Sequence, residues 1–263
     1  MVAQHFLDFR KNARPPVRPK CSYKQIAETD RNRLVYAGGA QMEHRFKRTR
    51  LAISALRLWP HLLVFLSSPN RSVVEADLAR WSELCEHRTP RGTGDFLYAF
   101  LRFMTFEDEF RNIFYLRVGK LGWPIRWLCP RLVTFEIESP SIGPGLFIQH
   151  GDNTFVSAAS IGANCWIGRH VVIGYSNDTD RPEIGDNVKI YAGAKIIGKI
   201  KVGDNAVIGL NTVVLDNVPP NVTLLGVPGK PLGPPRGMFA PKLVSASPIP
   251  VPDSERQANG DLH

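Results

Sequence analysis

Between residues 184 and 214 the chain places an aliphatic side chain at every sixth position: Ile184, Ile190, Ile196, Val202, Ile208 and Val214. A helix returns to one face every 3.6 residues and a strand every 2, so neither alone explains a beat of six. A short strand followed by a tight turn does. Three such units close a triangular coil, and the leading aliphatic residue of each points inward to stack on its equivalents in neighbouring coils. The Gly, Asn and Asp residues of "IGPGLF", "IGANCW", "IGDNVK", "VGDNAV" and "IGLNTV" then turn the corners, where left-handed backbone costs them least. Such a solenoid buries its stack only between adjacent coils and needs several repeats. The beat extends back through positions 142, 148, 161, 167 and 173.

Two slips break the phase. Ile148 and Ile161 are 13 residues apart, a one-residue bulge, and Ile173 and Ile184 are 11 apart, where the polar run "GYSNDTDRPE" replaces a hexad. An irregular polar excursion on a rigid coil is a natural place to hold a ligand.

Upstream of Pro130 the rhythm is helical. In "SVVEADLARWSELCEH", Ser72 is placed to cap with Glu75 as its box partner, and Val74, Leu78, Trp81 and Leu84 share a face. In "TFEDEFRNIFYLRVGKLG", Thr105 is the expected cap, and Phe110, Ile113, Phe114, Arg117 and Val118 form the face to bury. A further helix is expected over residues 43–66, bent or divided near Pro60. The fold class is therefore α+β: a basic disordered arm (1–30), a helical domain (31–135), a β-helix (136–230) and a flexible tail (231–263). Seven prolines in residues 231–252 are too many for a packed element.

Charge and cysteine usage exclude several classes. Residues 1–50 carry 12 Lys or Arg against 4 Asp or Glu, leaving 21 against 20 for the rest of the chain. The basic character is an N-terminal arm, read as a solvated tail, with peripheral contact to an anionic membrane as its alternative role. No aromatic-interleaved RNA motif, zinc finger or helix-turn-helix signature points to nucleic acid. The four cysteines (Cys21, Cys85, Cys129, Cys165) form no Cys-x-x-Cys pair, which argues against zinc or a disulfide scaffold and fits a reducing cytoplasm. The start of the chain lacks the apolar run of a signal peptide. "LAISALRLWPHLLVFL" is 16 residues long and contains Arg57, Pro60 and His61, so a packed helix is expected in preference to a membrane span.

Three stretches resemble a known family, the hexapeptide-repeat acyltransferases, which fold as a left-handed parallel β-helix. "IGPGLFIQH" is similar to the coil that delivers a catalytic histidine. The run from "PEIGDNVKI" to "VPPNVTLLGVPGKPL" resembles the C-terminal coils and their closing signature, and "EFRNIFYLRVGKLG" the helix that precedes the coil. The branch it looks most like is serine O-acetyltransferase and its relatives in surface-polysaccharide clusters, over roughly residues 50–232. The resemblance implies acyl transfer from a coenzyme A thioester, here acetyl-CoA as co-substrate, to a hydroxyl acceptor, by a homotrimer.

Carried over residue by residue, the resemblance makes His150 the general base; a neutral imidazole suits removal of a hydroxyl proton during attack on a thioester. Without that match His150 reads as a surface corner histidine, and His170, which has no match, as structural or peripheral. Glu136 is the implied carboxylate partner of the base, with Glu138 the weaker candidate. The position before the base is Gln149 where the serine enzymes have an aspartate. Ala192, Gly193 and Leu210 map to the pantetheine track and Lys230 to the nucleotide phosphates. Asp180 and Arg181 stand where the serine enzymes hold the acceptor's carboxylate with Arg and His. A carboxylate about 4 Å from Asp180 would be repelled by ~4 kcal/mol at an intermediate dielectric. Gln149 and Asp180 therefore favour a sugar or polysaccharide hydroxyl as acceptor, with serine O-acetylation as the alternative and a non-catalytic scaffold as a further one. The zinc hydrolyases built on the same coil need three histidines, and this coil has two, so no metal is expected.

Overall fold

The computed structural model describes residues 33–177 and 179–233; the basic arm of residues 1–30 and nearly all of the Pro-rich tail lie outside the described residues, as do the side chains of 33–48. Four α-helices lead into the coils: α1 (Arg33–Ser67), α2 (Arg71–Glu86), α3 (Thr93–Phe106) and α4 (Asp108–Val118), followed by a 3-10 segment at Gly119–Leu128. Fourteen short strands follow, β1 (Phe135–Ile137) to β14 (Lys230–Pro231).

Strand pairing shows why the beat is six. Sheet A stacks β1 (Phe135–Ile137), β3 (Thr154–Val156), β6 (Val172–Gly174), β9 (Lys195–Ile197) and β12 (Val213–Val214). Sheet B stacks β4 (Ser160–Ile161), β7 (Glu183–Ile184) and β10 (Lys201–Val202), extended by bridges to Ile142 and Val218. Sheet C stacks β2 (Phe147–Ile148), β5 (Trp166–Ile167), β8 (Lys189–Ile190), β11 (Val207–Ile208) and β13 (Thr223–Leu225), with β14 added antiparallel. The chain visits A, B and C in rotation, so the three sheets are the sides of a prism about five coils long. Ile148, Ile167, Ile190 and Ile208 occupy one register line, and Val156, Ile173, Ile196 and Val214 another. All eight are buried. The corners take left-handed backbone at Asn164, Asn187, Asn205 and Asn221 between sheets B and C, and at Asn153, His170, Gly193 and Asn211 between C and A.

The helices differ from expectation in three places. Residues 43–66 belong to one continuous helix that starts at Arg33 and runs through Pro60. Proline deprives Leu56 of its intrahelical partner, but Leu56 is on the exposed face, where water can replace it. Ser72 does not cap α2. The N-cap residue is Asn70, whose carbonyl accepts from Val73 and Val74, and Glu75 is taken by Arg71 at 2.8 Å. Thr105 is buried inside α3 with its hydroxyl donating to the Leu101 carbonyl at 2.6 Å, so Glu107 precedes α4 instead. In α1 the window Thr49–Ser67 has a mean hydropathy of 1.2 and is long enough to cross a membrane, with 22% of it buried, where the sequence suggested a shorter packed run.

A single buried cluster joins helices to prism. Trp81 meets Phe103, Phe110 and Phe147 at ring-centroid distances of 5.7, 5.5 and 4.7 Å, and its indole N–H donates to the Leu146 carbonyl at 2.9 Å. Beside it, buried Arg117 of α4 grips buried Asp77 of α2, Nε to Oδ2 at 2.8 Å and Nη2 to Oδ1 at 3.2 Å. The same guanidinium donates to the carbonyls of Ile142 and Gly143, while Asp77 accepts from the backbone N–H groups of Gly145 and Leu146. Burial raises the Asp77 pKa, and Arg117 with the two N–H donors pulls it back down. This network fixes the first coil against the helices.

Candidate active site

His150 sits on the corner between β2 and β3. From Ile148 to Val156 this corner is eight residues, against six from Ile167 to Ile173 one coil on, and the B side that follows is one shorter. The bulge inferred from the sequence is therefore two extra residues at the corner, partly offset afterwards. His150 is exposed with φ +53°, and Gln149 before it is held in the ladder by its N–H on the Ile167 carbonyl at 2.8 Å. The next residue, Gly151, is closely packed: a Cβ there would lie 3.0 Å from the Ile148 side chain and 3.3 Å from that of Glu109, so a larger residue would require both to give by a few tenths of an ångström. Helix α4 thus packs directly behind the histidine. The Glu109 carboxylate accepts from the Gly151 N–H at 3.2 Å.

Glu136, the sequence candidate for the histidine's partner, lies exposed on β1 opposite Phe155 of β3, and Glu138 is exposed just beyond the strand. Among the described residues neither Glu136 nor His150 makes a side-chain hydrogen bond. Glu109 is the carboxylate that touches the His150 corner. Sequence reasoning passed over it, although it opens the quoted "EFRNIFYLRVGKLG" and its neighbour Phe110 was placed on the buried face.

The other candidates divide between two edges of the prism. Ala192 and Gly193 follow β8, and Leu210 follows β11, so all three share the C-to-A edge with His150. At about 4.8 Å per coil, Ala192 is about 10 Å from the His150 level and Leu210 about 14 Å. Gly193 has φ +79°, and a Cβ there would fall on the Asn211 side chain. Leu210 is exposed, and Lys230 projects from β14 at the sheet C border. His170 occupies the left-handed turn position of the second coil, with its carbonyl accepting from Lys195 Nζ at 2.7 Å.

The polar excursion leaves from the A-to-B edge, between β6 and β7. Asp180 is turned into its own loop: Oδ2 accepts from Asn177 Nδ2 at 2.6 Å and from Ser176 Oγ at 3.3 Å. The Arg181 guanidinium lies 5.7 Å from the centre of the Tyr175 ring. Within one chain, therefore, Asp180 and Arg181 are not brought to His150. The buried thiols offer no nucleophile, Cys165 being pushed up to about 12 by burial.

The sequence profile described as "Bacterial transferase hexapeptide (six repeats)" matches residues 181–216. Residues 181–216, from just before β7 to just after β12, thus carry the repeat that this profile describes. A serine acetyltransferase of Staphylococcus aureus (strain Mu50 / ATCC 700699) is 43% identical over 97 residues, 34% of this chain and 43% of its own length. The chain thus spans under half the length of the curated relatives it matches. Among solved structures, the soybean serine acetyltransferase apoenzyme is 28% identical with a TM-score of 0.53, covering 66% of this chain and 73% of that one. Neisseria gonorrhoeae serine acetyltransferase in complex with serine is 27% identical with a TM-score of 0.51, over the same shares.

Proposed function

We propose that this hexapeptide-repeat protein is an O-acetyltransferase that moves an acetyl group from acetyl-CoA to a hydroxyl, and that the hydroxyl is serine's. One arrangement carries the transferase reading: His150 heads an edge on which Ala192, Gly193 and Leu210 follow, a track that an extended thioester arm can lie along with its acyl end at the histidine. His150 then takes the proton of the acceptor hydroxyl as its oxygen attacks the thioester carbonyl. Collapse of the tetrahedral adduct breaks the carbon–sulfur bond, and the imidazolium returns the proton to the departing thiolate. Glu109, whose carboxylate accepts from the neighbouring Gly151 N–H, ties the corner that carries the histidine to α4.

Serine as the acceptor is supported by the serine acetyltransferases among the relatives, one of them solved with serine bound. A sugar hydroxyl is the second reading, and what speaks for it is Gln149 at the position before the base. The excursion springs from the other edge of sheet A, so a neighbouring copy in a homotrimer would supply Asp180 and Arg181 to each site. The test is thioester consumption from acetyl-CoA, with serine and then with a panel of sugars, on material whose mass is measured by light scattering. The highest catalytic efficiency with serine is expected. A sugar ranking first would replace the acceptor, and no consumption with any acceptor by a folded trimer would leave a scaffold.

A further inference from the structure

Helix α1 carries two apolar stripes, and the domain uses one. Ser54, Leu58, His61 and Phe65 face inward and are buried. On the opposite side Ile53, Leu56, Trp59, Leu63 and Leu66 are exposed, Leu56 at 79% and Trp59 at 60%. A helix that merely packs on a domain keeps that outer side polar. The 3-10 segment Gly119–Leu128 packs against α1 and adds Leu121, Trp123 and Trp127, the two indoles 74% and 78% exposed. The two elements are tied together, since Arg126 lies over the Tyr115 ring whose hydroxyl meets His61 at 2.8 Å. Three of the chain's five tryptophans are thus presented to solvent on two elements that pack together.

The charge carried by these two segments is of one sign. Neither residues 49–67 nor residues 119–131 contain an Asp or Glu, while Arg50, Arg57, Lys120 and Arg131 are exposed there. The net +8 of residues 1–50 adjoins it in sequence. We infer that the outer face of α1 and the 3-10 segment dock on an anionic lipid bilayer. Aliphatic side chains enter the acyl boundary, indoles sit at the headgroup level where their N–H groups stay wet, and the cations meet the lipid phosphates. A second copy of the chain fits this face less well, because an isologous pair would set these cations against themselves. The helix lies on the bilayer and does not cross it, its inward stripe being occupied by the core. This inference does not depend on the acetyl-transfer reading.

The full chain is sedimented with phosphatidylcholine vesicles and with vesicles containing about a third phosphatidylglycerol. Binding to the anionic vesicles is expected about tenfold or more above binding to the neutral ones, weakening as salt rises, with a blue shift in tryptophan emission. The variant Trp59→Ser/Trp123→Ser/Trp127→Ser should lose roughly tenfold or more in partitioning without a lower melting temperature. Lys120→Glu/Arg131→Glu, which leaves the apolar side chains in place, should also weaken it. Three results would overturn the inference: no binding to anionic vesicles; parental binding by the tryptophan variant, which would leave the basic arm as the sole contact; or a drop of that variant to a smaller oligomer, which would mean a second copy covers the face.

Discussion

Replacing Arg117 by methionine should be among the most destabilising single changes outside the prism. Methionine fills much of the space and keeps helix propensity, so the perturbation is the loss of the guanidinium. Asp77 would lose both of its charged donors, retaining only the N–H groups of Gly145 and Leu146, and the carbonyls of Ile142 and Gly143 would lose theirs. Breaking a buried ion pair from one side costs about 3–5 kcal/mol, and two orphaned carbonyls push the figure toward the upper end. For a chain of this size that corresponds to a melting temperature lower by on the order of 10 °C. The deficit also has a pH signature. Burial already raises the Asp77 pKa, and removing Arg117 raises it further. A carboxyl whose folded pKa exceeds its unfolded value binds its proton more tightly when folded, so the variant loses stability as pH rises above the unfolded value near 4. Thermal melts of the parent, Arg117→Met, Asp77→Asn and the double variant across pH 5 to 8 test this. The deficit should shrink toward pH 5, and the two single effects should fall short of additivity in the double variant. A melting temperature for Arg117→Met within about 2 °C of the parent, or strict additivity, refutes the reasoning.

His61 gives a second pH dependence of opposite sense. Its pKa is lowered to about 4, chiefly by burial, with the Arg57 charge adding to it. The unfolded chain therefore takes up the proton first as pH falls below about 6.5, and stability should drop by roughly 3 kcal/mol between there and pH 4. Urea midpoints should show His61→Gln losing much of that slope, and an unchanged slope would remove His61 as its source. His150→Asn, which tolerates the left-handed corner, should lower thioester turnover by about 10²- to 10⁴-fold with little change in melting temperature. Near-parental turnover would sink the general-base assignment.

How much was legible in the sequence follows from the range of each interaction. The prism was legible because its rule is local: an inward aliphatic residue and a corner residue in every hexad, down to Asn164, Asn187, Asn205 and Asn221 at the same corner. The resemblance named His150, Ala192, Gly193 and Leu210, and they share one edge because each follows a strand of sheet C and precedes one of sheet A. The clamp was half visible, since Arg117 stood on a face otherwise destined for burial, but Asp77 is 40 residues away and nothing local links them. Glu109 and Gly151 likewise meet across 42 residues. Ser72 and Thr105 were misassigned as caps because capping patterns are short and other groups compete for the same hydroxyls and carboxylates, as Leu101 and Arg71 do here.

The excursion is where sequence reasoning went furthest beyond its support. An aspartate in place of a carboxylate-binding arginine suggests ~4 kcal/mol of repulsion against serine, provided Asp180 faces the acceptor. In the structure its carboxylate is engaged by Asn177 and Ser176, and Arg181 rests on Tyr175, so the loop uses both charges to hold its own shape. The excursion also leaves the prism on a different edge from His150. Within one chain both facts take Asp180 away from a direct repulsion, while its formal charge remains for a site shared with a neighbouring copy. Asp180→Asn isolates that charge, because an amide oxygen can still accept from Asn177. If Asp180 acts only within its loop, the ratio of catalytic efficiencies for serine and for the best sugar should change by less than about threefold, under 1 kcal/mol. A shift toward serine of roughly tenfold or more would mean that the carboxylate does face the acceptor, in the assembled protein if not within one chain.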